Sequence, residues 1–209
     1  MGIQSNLIFI VLSVLAIVSK YTSPNNLYRL FKLLPILFLI IWVASFGDIQ
    51  GNPYTRAILA GLCFSIIGDS LLLFPAQFKS GLFSFLIGHI WYMLGFLSGD
   101  WSLPILPTLI ITILALGMIS QLYPTSGKLK IPVLVYIFMI AGMGITSFGR
   151  LEALQTFPTF IGAIGASLFM ISDSVLGWNK FKNPFYLAAG IILITYYSGQ
   201  WMIVYSTLM

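Results

Sequence analysis

An all-α integral membrane protein with eight transmembrane helices is the fold class this sequence predicts, and three observations predict it. The chain of 209 residues is 59% hydrophobic and 7% charged, with a mean hydropathy of +1.00, whereas a soluble domain carries about 25% charged residues. Pro, Gly and polar clusters divide it into eight apolar runs. Its basic residues fall on alternate connections between those runs. So few charged groups cannot cover a protein surface, which excludes a water-soluble enzyme. So much apolar side chain cannot stay solvated, which excludes disorder.

All but the first run, which is short and borrows flanking residues, approach the ~20 residues that a rise of ~1.5 Å needs to cross a ~30 Å hydrocarbon core. The first, about 6–19, follows a head with no basic residue, and no small-residue cleavage site follows Leu15; it reads as a retained span, not a signal peptide. Thr22 to Asn26 ends it, and the second run covers about 27–46 up to Gly47-Asp48. Asn52-Pro53 opens the third, about 55–74, and Pro75 to Ser80 separates it from the fourth, about 80–97. Gly99-Asp100 precedes the fifth, about 103–122, and Pro124 to Lys130 precedes the sixth, about 131–148. Gly149 to Pro158 leads to the seventh, about 158–178, and Asn179 to Pro184 to the eighth, about 185–207. No connection is long enough to separate domains, so residues 1–209 read as a single polytopic membrane domain.

Orientation follows from charge. Lys20, Arg29, Lys32, Lys79, Lys128, Lys130, Lys180 and Lys182 lie in or beside the first, third, fifth and seventh connections. Arg56, Arg150, Asp48, Asp100 and Glu152 lie on the other side, and neither tail has a charged side chain. The positive-inside rule therefore predicts both termini outside the cytoplasm. The net charge of +5 comes from scattered residues with no run to track a phosphate backbone, so nucleic acid is not an expected partner. The single Cys63 cannot form an intrachain disulfide or a cysteine metal site.

A faint internal echo pairs Ile67-Gly68-Asp69-Ser70-Leu71-Leu72 with Ile171-Ser172-Asp173-Ser174-Val175-Leu176, Gly61 with Gly165, and Tyr92 with Tyr196. It is what a parallel four-plus-four helix repeat would leave, and also what chance can produce in so apolar a chain.

Asp69 and Asp173 are the two acidic residues inside predicted spans. A carboxylate in hydrocarbon costs several kcal/mol, so it faces the bundle interior beside a partner. Gly61, Ser65 and Asp69 share one helix face, and Gly162, Ala166 and Asp173 a comparable one, where small residues let helices approach closely. His89, the one histidine, lies inside the fourth run on the face of Phe85 and Tyr92. Its ordinary pKa suits proton transfer, and no local spacing makes it part of a metal site. Lys32 and Tyr136 fall at the depth of the two aspartates, and His89, Tyr196 and Gln200 deeper, all in the cytoplasmic half. Gly81, Gly88 and Gly95 recur every seventh residue and mark a close helix contact.

The segments Gly61-Leu62-Cys63-Phe64-Ser65-Ile66-Ile67-Gly68-Asp69, Phe85-Leu86-Ile87-Gly88-His89-Ile90-Trp91-Tyr92 after Gly81-Leu82, and Ser172-Asp173-Ser174-Val175-Leu176 resemble the lysoplasmalogenase family, the YhhN-like membrane proteins. Lys32 to Pro35, Pro132 with Tyr136, and Tyr196 with Gln200 are similar to its weaker motifs. The resemblance implies a membrane hydrolase that cleaves the vinyl ether of a lysoplasmalogen. Its products would be a fatty aldehyde and glycerophosphoethanolamine or glycerophosphocholine.

The residue chemistry suits that reaction. Vinyl ethers hydrolyse by protonation at the β-carbon, and water traps the resulting oxocarbenium ion. Two carboxylates in a desolvated pocket can provide one protonated and one ionised group, as glycosidases do for a similar cation. The expected catalytic residues are therefore Asp69, Asp173 and His89, the last tuning or relaying a proton. Lys32 would meet phosphate or bias a carboxylate, and Tyr92, Tyr136, Tyr196 and Gln200 would orient substrate or water. No cofactor or metal is required. The expected partners are a lysophospholipid within the bilayer and water, and nothing in the sequence sets an oligomeric state. In a bacterial cell the inner membrane is the expected location. A proton-coupled transporter of a small lipid or metabolite would use the same buried carboxylates. An intramembrane aspartyl protease lacks its Gly-x-Gly-Asp and Pro-Ala-Leu signals here.

Overall fold

The computed structural model of the chain describes residues 2–22 and 25–207. Ser23 and Pro24 of the first predicted break lie outside them. Among the described residues there are eight α-helices and no strand: α1 (Ile3–Thr22), α2 (Asn25–Phe46), α3 (Pro53–Leu72), α4 (Phe78–Phe96), α5 (Ile105–Leu122), α6 (Lys130–Leu154), α7 (Phe157–Phe181) and α8 (Ala188–Tyr205). Six of them, α1, α2, α3, α5, α6 and α7, are long and apolar enough to cross a membrane. The other two, α4 and α8, carry His89, Tyr196 and Gln200.

Helix ends follow local chemistry. Asn52 caps α3 by accepting the Tyr54 N–H at 2.9 Å, and Pro53 occupies the first turn, where its missing N–H costs nothing. Thr156 and Thr159 form a reciprocal capping box at the start of α7. Two predicted boundaries move. The break predicted from Gly149 to Pro158 starts later than expected: α6 continues to Leu154 before Gln155 takes a left-handed conformation at φ 48°. Gly149 stays helical because it lies flat against the Trp101 indole, where a Cβ has no room. Arg150 beside it lies 4.4 Å from the Tyr54 ring and donates to the Ser98 carbonyl. At the other end, α8 starts later than position 185, because Asn179 Oδ1 accepts the Phe185 N–H at 3.0 Å and holds a turn there.

Two tight helix pairs organise the bundle. In α3 and α4, Gly61 and Gly68 lie under the rings of Tyr92 and Phe85, and Gly88 packs on the Gly61 carbonyl. In α7 and α8, a Cβ on Gly165 would stand 2.8 Å from the Gly199 carbonyl, and one on Gly199 2.7 Å from the Gly165 carbonyl. Hydrocarbon gives no net hydrophobic gain for helix association, so such close backbone approach is how the pairs hold together. A serine ties each pair: Ser84 Oγ donates to the Phe64 carbonyl at 2.7 Å, and Ser172 Oγ to the Ile192 carbonyl at 3.1 Å. The α4 helix also packs on α6, and α8 on α1 and α2, whereas among the described residues α5 packs only on α6 and α7. Leu109, Ile113 and Ile41 are among the many large apolar side chains left facing outward.

Candidate active site

Asp69, one turn from the end of α3, is 3% exposed, and protein groups engage both of its oxygens. Lys32 Nζ of α2 lies 3.0 Å from Oδ1 and donates to the Asp69 carbonyl at 3.2 Å, while the Tyr196 hydroxyl of α8 donates to Oδ2 at 2.7 Å. Pro35 removes one rung of α2 close by, and the Tyr197 hydroxyl donates to the Lys32 carbonyl at 2.9 Å. Lys32 is itself buried. Its ammonium is committed to Asp69 and does not reach out to the membrane surface.

Asp173 of α7 has a different environment. Among the described residues only its Oδ2 meets hydrogen-bonding groups: the Tyr136 hydroxyl of α6 donates to it at 2.9 Å, and His89 Nε2 of α4 lies 3.1 Å away. The His89–Asp173 approach is off the line of a hydrogen bond, so Nε2 has no hydrogen-bond partner among the described residues. The other ring nitrogen is fixed. Nδ1 lies 2.6 Å from the Phe85 carbonyl; a carbonyl only accepts, so Nδ1 carries a hydrogen, and Nε2 alone can exchange one. Phe169 packs against both halves of this centre, its ring 4.8 Å from His89 and 5.2 Å from Tyr196.

A third polar group lies one turn deeper along α3. The Tyr92 hydroxyl donates to Gln200 Oε1 at 2.6 Å, and Gln200 Nε2 donates to Ser65 Oγ at 3.1 Å. Tyr92, Gln200 and Ser65 are fully enclosed. Their polar atoms satisfy one another, which is what allows them in an apolar interior.

A half-open cavity of about 930 Å³ lies between α5 and the α6–α7 pair. Asp173 and Tyr136 line it; Asp69, Lys32, His89, Tyr92, Tyr196 and Gln200 do not. The eight predicted site residues thus form one connected interior, but two of them face the space where a ligand fits. Sequence reasoning passed over Tyr197 and Phe169. A signal for Phe169 existed: it precedes Asp173 by one helical turn, as Ser65 precedes Asp69.

Eight helices around two buried, differently partnered carboxylates define a multi-pass integral membrane protein. The YhhN family model matches residues 27–207, and the chain belongs to that family. Lysoplasmalogenase TMEM86A of Homo sapiens is 31% identical over 193 residues, 88% of this chain and 80% of the relative. Lysoplasmalogenase TMEM86B of Homo sapiens is 32% identical over 190 residues, 86% and 74% of the two chains. The uncharacterized membrane protein YhhN of Escherichia coli O157:H7 is 28% identical over 201 residues, 92% of each chain. No solved structure matches.

Proposed function

We propose that this protein hydrolyses the vinyl ether bond of lysoplasmalogens, with Asp173 as the residue that delivers the proton. Relatives named lysoplasmalogenases, at 31% and 32% identity, support the reaction class. The observation that carries the residue assignment is that Asp173 is the one carboxylate lining the cavity, with Tyr136 and His89 both on its Oδ2. An ionised Oδ2 facing a lone pair on Nε2 at this distance would be repulsive, so the pair holds one proton between them. A small tilt of ring or carboxyl aligns them, as is common for catalytic contacts before substrate binds.

The reaction then runs as follows. The Asp173 carboxylic acid protonates the β-carbon of the alkenyl chain, and the α-carbon becomes an oxocarbenium ion. Ionised Asp173 takes a proton from water as its oxygen bonds to the α-carbon, giving a hemiacetal. Collapse of the hemiacetal breaks the bond from the α-carbon to the glycerol oxygen, the hemiacetal hydroxyl proton passing to that oxygen, and releases aldehyde and glycerophospho-alcohol. One water is consumed and Asp173 regains its proton. Asp69, held against Lys32, is a fixed anion that positions Tyr196 and, through Phe169, the His89 ring.

The same reading has all eight helices crossing the bilayer with both termini outside the cytoplasm, supported by the alternation of basic connections. It also treats the two halves as repeats. Shifting Lys32 and Asp69 by the 104-residue offset gives Tyr136 and Asp173, and both are bonded pairs 37 residues apart.

The test is lipid turnover by purified protein with the products identified by mass spectrometry. Fatty aldehyde from a lysoplasmalogen is expected, and Asp173→Asn should lower its rate at least ~10²-fold, the scale of losing a general acid. Full activity in a folded Asp173→Asn protein removes this carboxylate from the mechanism.

A further inference from the structure

The cavity beside Asp173 is laid out along its length like an amphiphile. It follows α7 from Ser167 to Phe181, ~21 Å at helical rise, which exceeds the ~15 Å of one hydrocarbon leaflet. At about 930 Å³ it stands near the top of the ~300–1,000 Å³ range of ligand pockets. Most of its wall is aliphatic, including Ile110, Leu114, Ile140 and Met170. One end differs. There Ser120 and Gln121 line it, as do the rings of Phe78 and Trp178.

Two lysines stand over those rings, Lys180 Nζ 4.6 Å from the Phe78 centroid and Lys182 Nζ 4.8 Å from that of Trp178. Lys182 also donates to Gln121 Oε1. Asp173 precedes Trp178 by five residues, ~8 Å along the helix. Neither lysine is part of the cavity wall, but each is set against a ring that is; along α7 the order is therefore cation, carboxylate, hydrocarbon wall. The outer wall is α5, which buries only Ile111 and Leu122 and has no helix beyond it.

We propose that this cavity seats a single-chain lipid with a phosphate-bearing head, the head against Lys180 and Lys182 and the chain lying between α5 and α7. The positive end selects the phosphate, and the one trough accepts one chain. The lipid enters sideways from the bilayer past α5. The seat rests on the proposed reaction only for the identity of the bond beside Asp173, and it is tested without turnover.

The probes are saturated alkyl phosphocholines, which have no vinyl ether to cleave, from decyl to octadecyl, measured by native mass spectrometry on the full chain. Ala141, on the cavity wall, is replaced by Phe, and Ile110 on α5 by Trp in a second variant in case the first does not fold. Each should weaken the octadecyl probe about tenfold, the scale of overpacking a filled site, and leave the decyl probe unchanged. Lys180→Gln with Lys182→Gln should weaken phosphocholines but not an alkyl maltoside of equal length. Equal binding of long chains to wild type and a folded wall variant overturns the seat, as does equal competition by a two-chain phospholipid. Loss of turnover with probe binding intact would count against the reaction and leave the seat standing.

Discussion

At the residue scale, the two aspartates share a type and a depth but differ in what surrounds them. Lys32 and Tyr196 occupy both oxygens of Asp69, whereas Asp173 keeps Oδ1 clear of protein hydrogen bonds and borders open space. The sequence marked both carboxylates and supplied no way to rank them, because rank depends on partners 37 to 127 residues away. That difference bears on mutagenesis. Lys32→Met leaves the Asp69 carboxylate without its cation and should destabilise the protein by about 3–5 kcal/mol, the cost of breaking a buried pair from one side. Lys32→Met combined with Asp69→Asn removes both charges and should recover most of the loss, read as the melting temperature in detergent. If the single and double variants melt together, the pair carries no structural weight. His89→Gln keeps a polar group beside Asp173 but removes the titrating nitrogen. Turnover should fall and the pH–rate profile should lose the limb that reports this ionisation. An unchanged profile at near-normal turnover would reduce His89 to a packing residue.

At the element scale, the spacing of small residues forecast more than hydropathy did. The recurrence of Gly81, Gly88 and Gly95 pointed to a close helix contact, and all three lie on the buried face of α4 against α3. Hydropathy alone placed the end of the sixth run at Gly149, because Arg150 and Glu152 look like connection residues. The Tyr54 ring and the Ser98 carbonyl that accommodate Arg150 come from distant segments and leave no local trace. The α7–α8 contact is the tighter constraint on substitution. Gly199→Ala places a methyl 2.7 Å from the Gly165 carbonyl and 3.0 Å from the Phe169 amide. Backbone cannot swing aside as a side chain can, so the helices must separate. A loss of about 1–3 kcal/mol is expected from such overpacking, with turnover falling too because Tyr196 and Gln200 ride on α8. Thermal melting and lipid turnover of Gly199→Ala together check this; a protein normal in both would mean the pair has slack.

At the scale of the whole molecule, the all-helical membrane class was legible from composition, and eight helices follow the eight apolar runs. What the sequence could not supply was the neighbour relation. The centre draws on α2, α3, α4, α6, α7 and α8 and leaves α1 and α5 outside. No one-dimensional period encodes that choice. Topology is a property of the complete chain and calls for a complete-chain test. A reporter fused after the C-terminus should be found outside the cytoplasm and one inserted near Lys128 inside it. Both reporters on the same side would contradict eight crossings, because α6, α7 and α8 lie between them, and a cytoplasmic C-terminal reporter would overturn the orientation.

The Phe85 carbonyl that fixes His89 Nδ1 has one more consequence, for the energy economy of the cell. A histidine that conducts must load hydrogen on one nitrogen and unload it from the other. Here the second nitrogen opens onto an acceptor that has nothing to give and nowhere to pass a charge. The wire therefore stops at the ring. On the proposed reaction, acid chemistry takes place within an insulating film, and the ion gradient that the film maintains does not drain through this ring.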